Sequence, residues 1–281
     1  MIKLICDSTS YLPGELIEKY NIDIIPLSVI LGPEVIDETQ ITNETFFARL
    51  KRSAFHPSSA HPTAQAIYSV FKQYTAAGDS VLFTCVSSDL STTFSTALTV
   101  KNQLLEEYPK ARVEVVNTQS NCMGHGFATL AGAKAVAAGK NMDEAIAAIN
   151  NTIPKIRLLF IPESLKYLQE SGRLNKASAL AASVLKIVPI LTVKDGKLDL
   201  HAKIRTRIKA KKVMLAELLN DIESGGVSDI SVMHVNDEKE AQQFMASIKE
   251  LIDIDINLVS IGPVVGAHVG PGTLGLAWVK S

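Results

Sequence analysis

Charge excess is the first thing this 281-residue chain lacks. Its 28 Lys and Arg stand against 29 Asp and Glu, for a net charge of −1. With an isoelectric point near 6.6, it has no polybasic surface of the kind that holds nucleic acid or an anionic bilayer. Cysteine is scarce and odd in number, three residues, which excludes a disulfide framework. Cys6 and Cys85 fall in apolar strand-like runs and read as small buried hydrophobes. Cys122 lies in a loop-like stretch without CxxC or Cys/His ligand spacing, so no metal site is expected there. Long apolar runs are missing as well: the longest, Ala177 to Val193, is broken by Lys186 and Pro189 and makes a poor membrane span. Met1 leads straight into IKLICDSTS, a strand and turn, so no secretory leader and a soluble cytoplasmic protein are expected. Nor is there a P-loop, a GxGxxG after a strand, an HExxH or an Asp-rich metal loop. No cofactor and no metal are therefore expected.

What is present is apolar. Hydrophobic residues make up 47% and charged residues 20%, and the mean hydropathy is +0.17. That balance suits a globular protein with a large core or an apolar tunnel. Short apolar runs alternate with helical patterns through the first half. Strands are predicted at Ile2–Cys6, Ile22–Val29, Ser80–Val86 and Arg112–Val116. Helices are predicted at Leu12–Tyr20, Thr42–Arg52, Thr63–Tyr74, Thr92–Tyr108 and Gly124–Ala138. The alternation implies a largely parallel sheet, whose ligands gather beyond the carboxyl ends of the strands, in loops starting at Asp7, Ser87 and Asn117. The second half changes character near Ile153. A hairpin turning at Lys194-Asp195-Gly196, a long helix from Thr206, and strands at Asp229–Val235, Ile254–Ile261 and Leu274–Val279 indicate a mixed or antiparallel sheet. The expected fold is thus two α/β domains, residues 1–153 and 154–281, sharing a cleft.

Three polar stretches carry the candidate chemistry. In Gly262–Gly275, GPVVGAHVGPGTLG, one histidine, His268, sits among five glycines between strand-like segments, a pattern that suits positive φ or close backbone approach. It reads either as a loop gripping a ligand head group or as a turn-rich crossover. In SSDLSTTFSTA, Ser91 precedes a helix, where its hydroxyl and the free amides could hold a carboxylate or could simply cap the helix. Ser59, in HPSSAHPTA, stands before another helix and has the same two readings. A nucleophilic Ser91 with His268 as base lacks a GxSxG elbow. Further on, Lys203, Arg205, Arg207, Lys209, Lys211 and Lys212 form a basic run, either a solvated helix face or a docking patch for an acidic or phosphate-bearing partner.

Together CDSTSYLP, SSAHPTA, SSDLSTTFSTA, NTQSNCMGHG, LKYLQESGRL, VPIL, IRTR and GPVVGAHVGPGTLG resemble, in order and nearly end to end, the DegV family of bacterial fatty-acid-binding proteins. That resemblance implies two α/β domains with an acyl tunnel at their interface. It also implies a non-catalytic role, holding a long-chain fatty acid for a separate ATP-dependent fatty acid kinase. It places the carboxylate at Ser59, Ser91 and His268, and assigns Arg173 and Arg205 to kinase docking or phosphoryl transfer. By that resemblance both lie near the head-group exit, and neither belongs to an apolar stripe that could line a tunnel. The chain departs from the family pattern at Ser59 (usually threonine), Thr92 and Ser171 (usually glycine), Asn117 (usually aspartate) and Val188 (usually lysine). Two other functions stay in view: an enzyme, either a Ser91/His268 acyl hydrolase or a carbonyl-binding subunit like that of dihydroxyacetone kinase, and a regulator that senses lipid.

Overall fold

A computed structural model describes residues 1–173 and 187–281. Most of the interrupted apolar run from Ala177 lies outside the described residues. The chain begins with strand β1 (Ile2–Asp7), helix α1 (Gly14–Lys19), and strands β2 (Asp23–Ile25), β3 (Ser28–Leu31) and β4 (Glu34–Asp37). Helix α2 (Asn43–Arg52), strand β5 (Ser58–Ala60), helix α3 (Ala64–Ala76), strand β6 (Ser80–Cys85) and helix α4 (Thr93–Glu107) follow. Strand β7 (Val113–Asn117) and helices α5 (Cys122–Ala137) and α6 (Met142–Thr152) complete the first half. Local chemistry explains the starts: Thr42 and Thr63 accept the Thr45 and Ala66 amides, and Asn141 with Glu144 forms a reciprocal capping box. Strands β1, β2, β6 and β7 make a parallel sheet in the order β2-β1-β6-β7.

The second half contains β8 (Ile156–Ile161), the short helix α7 (Lys166–Glu170), and the hairpin β9 (Val188–Lys194) and β10 (Lys197–Ile204). Asp195 and Gly196 turn this hairpin with φ of 50° and 80°, the left-handed pair that a tight two-residue turn requires. Helix α8 (Arg207–Gly225), β11 (Val227–His234), α9 (Glu238–Lys249), β12 (Ile256–Ser260), α10 (Pro263–Val269) and β13 (Leu274–Lys280) follow. The sheet runs β10-β9-β8-β13-β11-β12 and is mixed: among the described residues β11 and β12 pair in parallel and the other neighbours antiparallel. The α/β class with one parallel and one mixed sheet is as expected.

Two features differ from the sequence reading. The stretch Ile22–Val29 splits between the parallel sheet and a third, antiparallel sheet β4-β3-β5, to which Ser59 belongs as a strand residue opposite Val29. The glycine-rich stretch around His268 is not a loop: Pro263 to Val269 is helix α10. Proline suits the first turn of a helix, Gly266 inside it serves close packing, and the positive φ expected of the stretch falls at Gly270 and Gly272 after the helix ends. One apolar core runs from Leu4, Phe46 and Met123 in the first half to Phe160, Val264 and Ala277 in the second. The hairpin turn is latched across the halves, where the Ser87 hydroxyl donates to the Gly196 carbonyl at 2.7 Å.

Candidate functional site

The loops at the carboxyl ends of β1, β6 and β7 converge on one cavity of about 340 Å³, to which they contribute Thr9, Ser88 to Thr92, and Asn121. Helix α10 adds His268, β5 adds Ser59, and the end of α7 adds Gly172 and Arg173. The remaining wall is apolar, with Leu27, Leu90, Leu168, Leu198, Val264 and Val265. The cavity wall therefore combines hydroxyls, imidazoles and a guanidinium with hydrocarbon. Buried scaffolding fixes the loop bearing Thr9: Asp7 accepts the amides of Thr9 at 2.9 Å and Val86 at 2.8 Å. At the mouth, Thr92 meets His61 at 2.9 Å, and Asp89 pairs with Lys197 at 3.3 Å, which offsets its negative charge.

The structure brings Ser59 and His268 together, with Ser59 Oγ 2.7 Å from His268 Nε2. The other ring nitrogen, Nδ1, is buried and has no hydrogen-bond partner among the described residues. Burial, reinforced by the nearby charges of Arg173 and His56, pushes the imidazole down to about 4. A neutral imidazole bonded to a hydroxyl, on a wall that also carries the Arg173 cation, suits an anionic head group. It matches a hydrolytic triad poorly, because His268 pairs with Ser59 rather than Ser91 and Nδ1 faces no carboxylate. Ser91 lines the same cavity. Its oxygen lies 2.9 Å from Thr93 Oγ1 and accepts the Thr93 amide at 3.3 Å, while Thr92 takes the N-cap position of α4. The hydroxyl is thus on the cavity wall and beside the helix start at once.

Arg173 corrects the sequence reading: it stands on the cavity wall next to Gly172, held by a 2.6 Å bond from Nη1 to the Ser171 carbonyl. Arg205 is exposed after β10 and does not line the cavity. Its neighbour Arg207 plays a structural part, binding Glu240 through two nitrogens and donating to the Gly272 carbonyl, which fixes the turn that follows α10. Within that segment Gly266 allows close approach, because a Cβ would lie 2.6 Å from Phe47 Cζ, and Gly270 and Gly272 adopt φ near +80°. Cys122 is also corrected. It is buried at the first residue of α5, and burial pushes its thiol well up.

A second, apolar chamber continues from the first, sharing Asn121, Val265 and Val269 with it. Cys122, Leu158, Phe160 and Met233 line it, and its free volume is only about 30 Å³. Sequence reasoning misses Thr9, Asn121 and Leu198, although the first two follow strand ends where ligands are expected. Among the described residues, no helix is long and apolar enough to cross a membrane.

The fold and cavity thus define a three-sheet α/β protein with a pocket lined by residues of both halves of the chain. A family model described as uncharacterised protein, DegV family, matches residues 1–281, and the chain belongs to the DegV family. It is 39% identical over 277 residues to a DegV domain-containing protein of Clostridium acetobutylicum, covering 99% of this chain and 97% of that one. A DegV domain-containing protein of Clostridium perfringens is 34% identical, with 99% of each chain covered. Among solved structures, DegV of Bacillus subtilis, described as a fatty acid binding protein, superposes with a TM-score of 0.89 at 27% identity, covering 100% of this chain and 99% of that one. A stearic acid-binding protein of Eubacterium ventriosum superposes at 0.90 with 25% identity, covering 100% and 98%.

Proposed function

We propose that this protein binds one long-chain fatty acid non-catalytically, with the carboxylate at Ser59, Ser91 and His268 and the chain directed into the apolar chamber. The observation that carries this reading is the composition of the cavity wall, where a neutral imidazole, the Ser59 and Ser91 hydroxyls and Arg173 share one space with leucine and valine side chains. The solved relatives described as fatty-acid-binding support it. Energetics divide the labour. Each buried methylene contributes about 0.8 kcal/mol, so the acyl chain supplies most of the affinity. Each charge-assisted hydrogen bond adds about 1.5–3 kcal/mol, so the polar end selects for an acid. The second chamber has to widen by side-chain movement at Phe160 and Met233 to take the far end of a chain. A separate ATP-dependent fatty acid kinase would then receive the carboxylate, with Arg205 on the docking surface.

Mass spectrometry of an organic extract of the purified protein tests the reading. About one long-chain fatty acid per chain is expected, and a bound sugar or no lipid at all would sink it.

A further inference from the structure

Helix α10 carries His268 but has no side chain of its own to cap its start, because Gly262 occupies the N-cap position. Its first amides are taken up from the other half of the chain. The Val264 amide donates to Glu38 Oε2 at 3.2 Å, and the Val265 amide donates to the Tyr11 hydroxyl at 3.2 Å. Tyr11 donates in turn to Glu38 Oε2 at 3.0 Å. Ser8 donates to Glu38 Oε1 while accepting the Leu27 amide at 3.0 Å. The glycine makes this contact possible: a Cβ at position 262 would stand 2.7 Å from Glu38 Oε2 and 2.7 Å from Tyr11 Cε1.

Glu38 is buried at 6% exposure, and its described contacts include no cation. Burial pushes its carboxyl up to about 7. A buried carboxylate answered only by hydroxyls and amides works against folding. It is a poor choice for filling space. It is a good choice for holding the start of a helix, since its two oxygens accept from the Val264 amide and from the Tyr11 and Ser8 hydroxyls at once. At about two turns, α10 is too short to absorb a shift at its start, so a displaced first turn displaces His268 near its end.

We propose that Glu38, together with Tyr11, is a positioning residue for the head-group end of the cavity: it fixes the first turn of α10 and thereby sets where His268 stands against Ser59. The proposal rests on the reading of Ser59, Ser91 and His268 as a carboxylate site, and goes beyond it by assigning a role to residues that do not reach the ligand.

Glu38→Gln and Tyr11→Phe test it, each nearly preserving shape. Binding of hexadecanoic acid and of its methyl ester is measured for both variants, alongside the His268 ring resonances of lipid-free protein by NMR. The expected result is ester affinity within about twofold of wild type, acid affinity lowered about three- to tenfold, and shifted His268 resonances. Parallel losses for acid and ester would reduce the pair to a general stabilising contact and overturn the proposal. Unchanged His268 resonances in a folded variant would overturn it as well. If wild type itself fails to prefer acid over ester, the carboxylate reading fails separately, and the His268 resonances still decide the role of Glu38. Should Glu38→Gln not fold, Tyr11→Phe decides alone.

Discussion

His268 is a neutral ring on the wall of the cavity, and this makes its protonation informative. Its ordinary value of 6.5 falls to about 4 in the folded protein. Between those values the unfolded chain takes up the proton and the folded chain does not. The stability contributed by burying the neutral ring is therefore complete above 6.5 and lost as pH falls through about 4. His268→Gln is expected to flatten the pH dependence of Tm across that window relative to wild type, and unchanged slopes would place the titrating group elsewhere. Ser91 calls for a different comparison, because its oxygen touches both the cavity and the Thr93 amide. Ser91→Ala is expected to weaken binding of the acid by about 1–3 kcal/mol more than binding of its methyl ester. Equal losses, read by calorimetry, would assign the hydroxyl to the helix start alone.

Helix α10 shows what a sequence discloses about an element and what it conceals. Five glycines and two prolines around His268 signal crowding, and the crowding is there. Gly266 presses on Phe47 and Val235, and Gly262 presses on Glu38 and Tyr11. The helical state of Pro263–Val269 is not legible, because glycine inside a helix goes against propensity and only contacts with distant residues repay it. The same logic covers β5. Three residues, Ser-Ser-Ala, become a strand only because β3 offers an edge to pair with. Regular elements with strong periodicity, such as α3, α4 and the β9–β10 hairpin, lie close to their predicted bounds. Gly266→Ala therefore sets two effects against each other. Alanine favours helix by about 1 kcal/mol over glycine, while the added methyl meets Phe47 Cζ at 2.6 Å. Overpacking at a buried contact costs about 1–3 kcal/mol. A lower urea midpoint is expected, and a higher one would show that Phe47 yields freely.

Across the whole molecule, the candidate site draws on nearly every part of the chain, from Thr9 to His268. Strand-end logic points to the loops after β1, β6 and β7, but which residues in the second half face them depends on packing between sheets that no local pattern encodes. Arg173 is the instructive case: a charged residue after a helix end reads as surface, yet α7 packs near α10 and turns it onto the cavity wall. The two arginines should consequently separate. Arg173→Ala is expected to lower fatty-acid binding and acyl phosphate formation together. Arg205→Ala is expected to leave lipid occupancy intact and to lower acyl phosphate formation with the kinase at least tenfold, about 1.4 kcal/mol. Lipid occupancy by mass spectrometry and acyl phosphate by coupled assay would read the two outcomes, and matching behaviour of both variants would refute the separation.

Strand β13 lies between β8 and β11, so the middle of the second sheet is made from residues 274–280, which leave the ribosome after both of its neighbours. Until they emerge, β8 and β11 face each other with unpaired edges, the kind of surface that invites wrong pairing. Helix α10 immediately precedes this strand in the chain and packs against α7 and β5. The order of translation therefore places the residue that meets Ser59, His268, ahead of the strand that closes the second sheet, so that sheet cannot close before helix α10 has emerged.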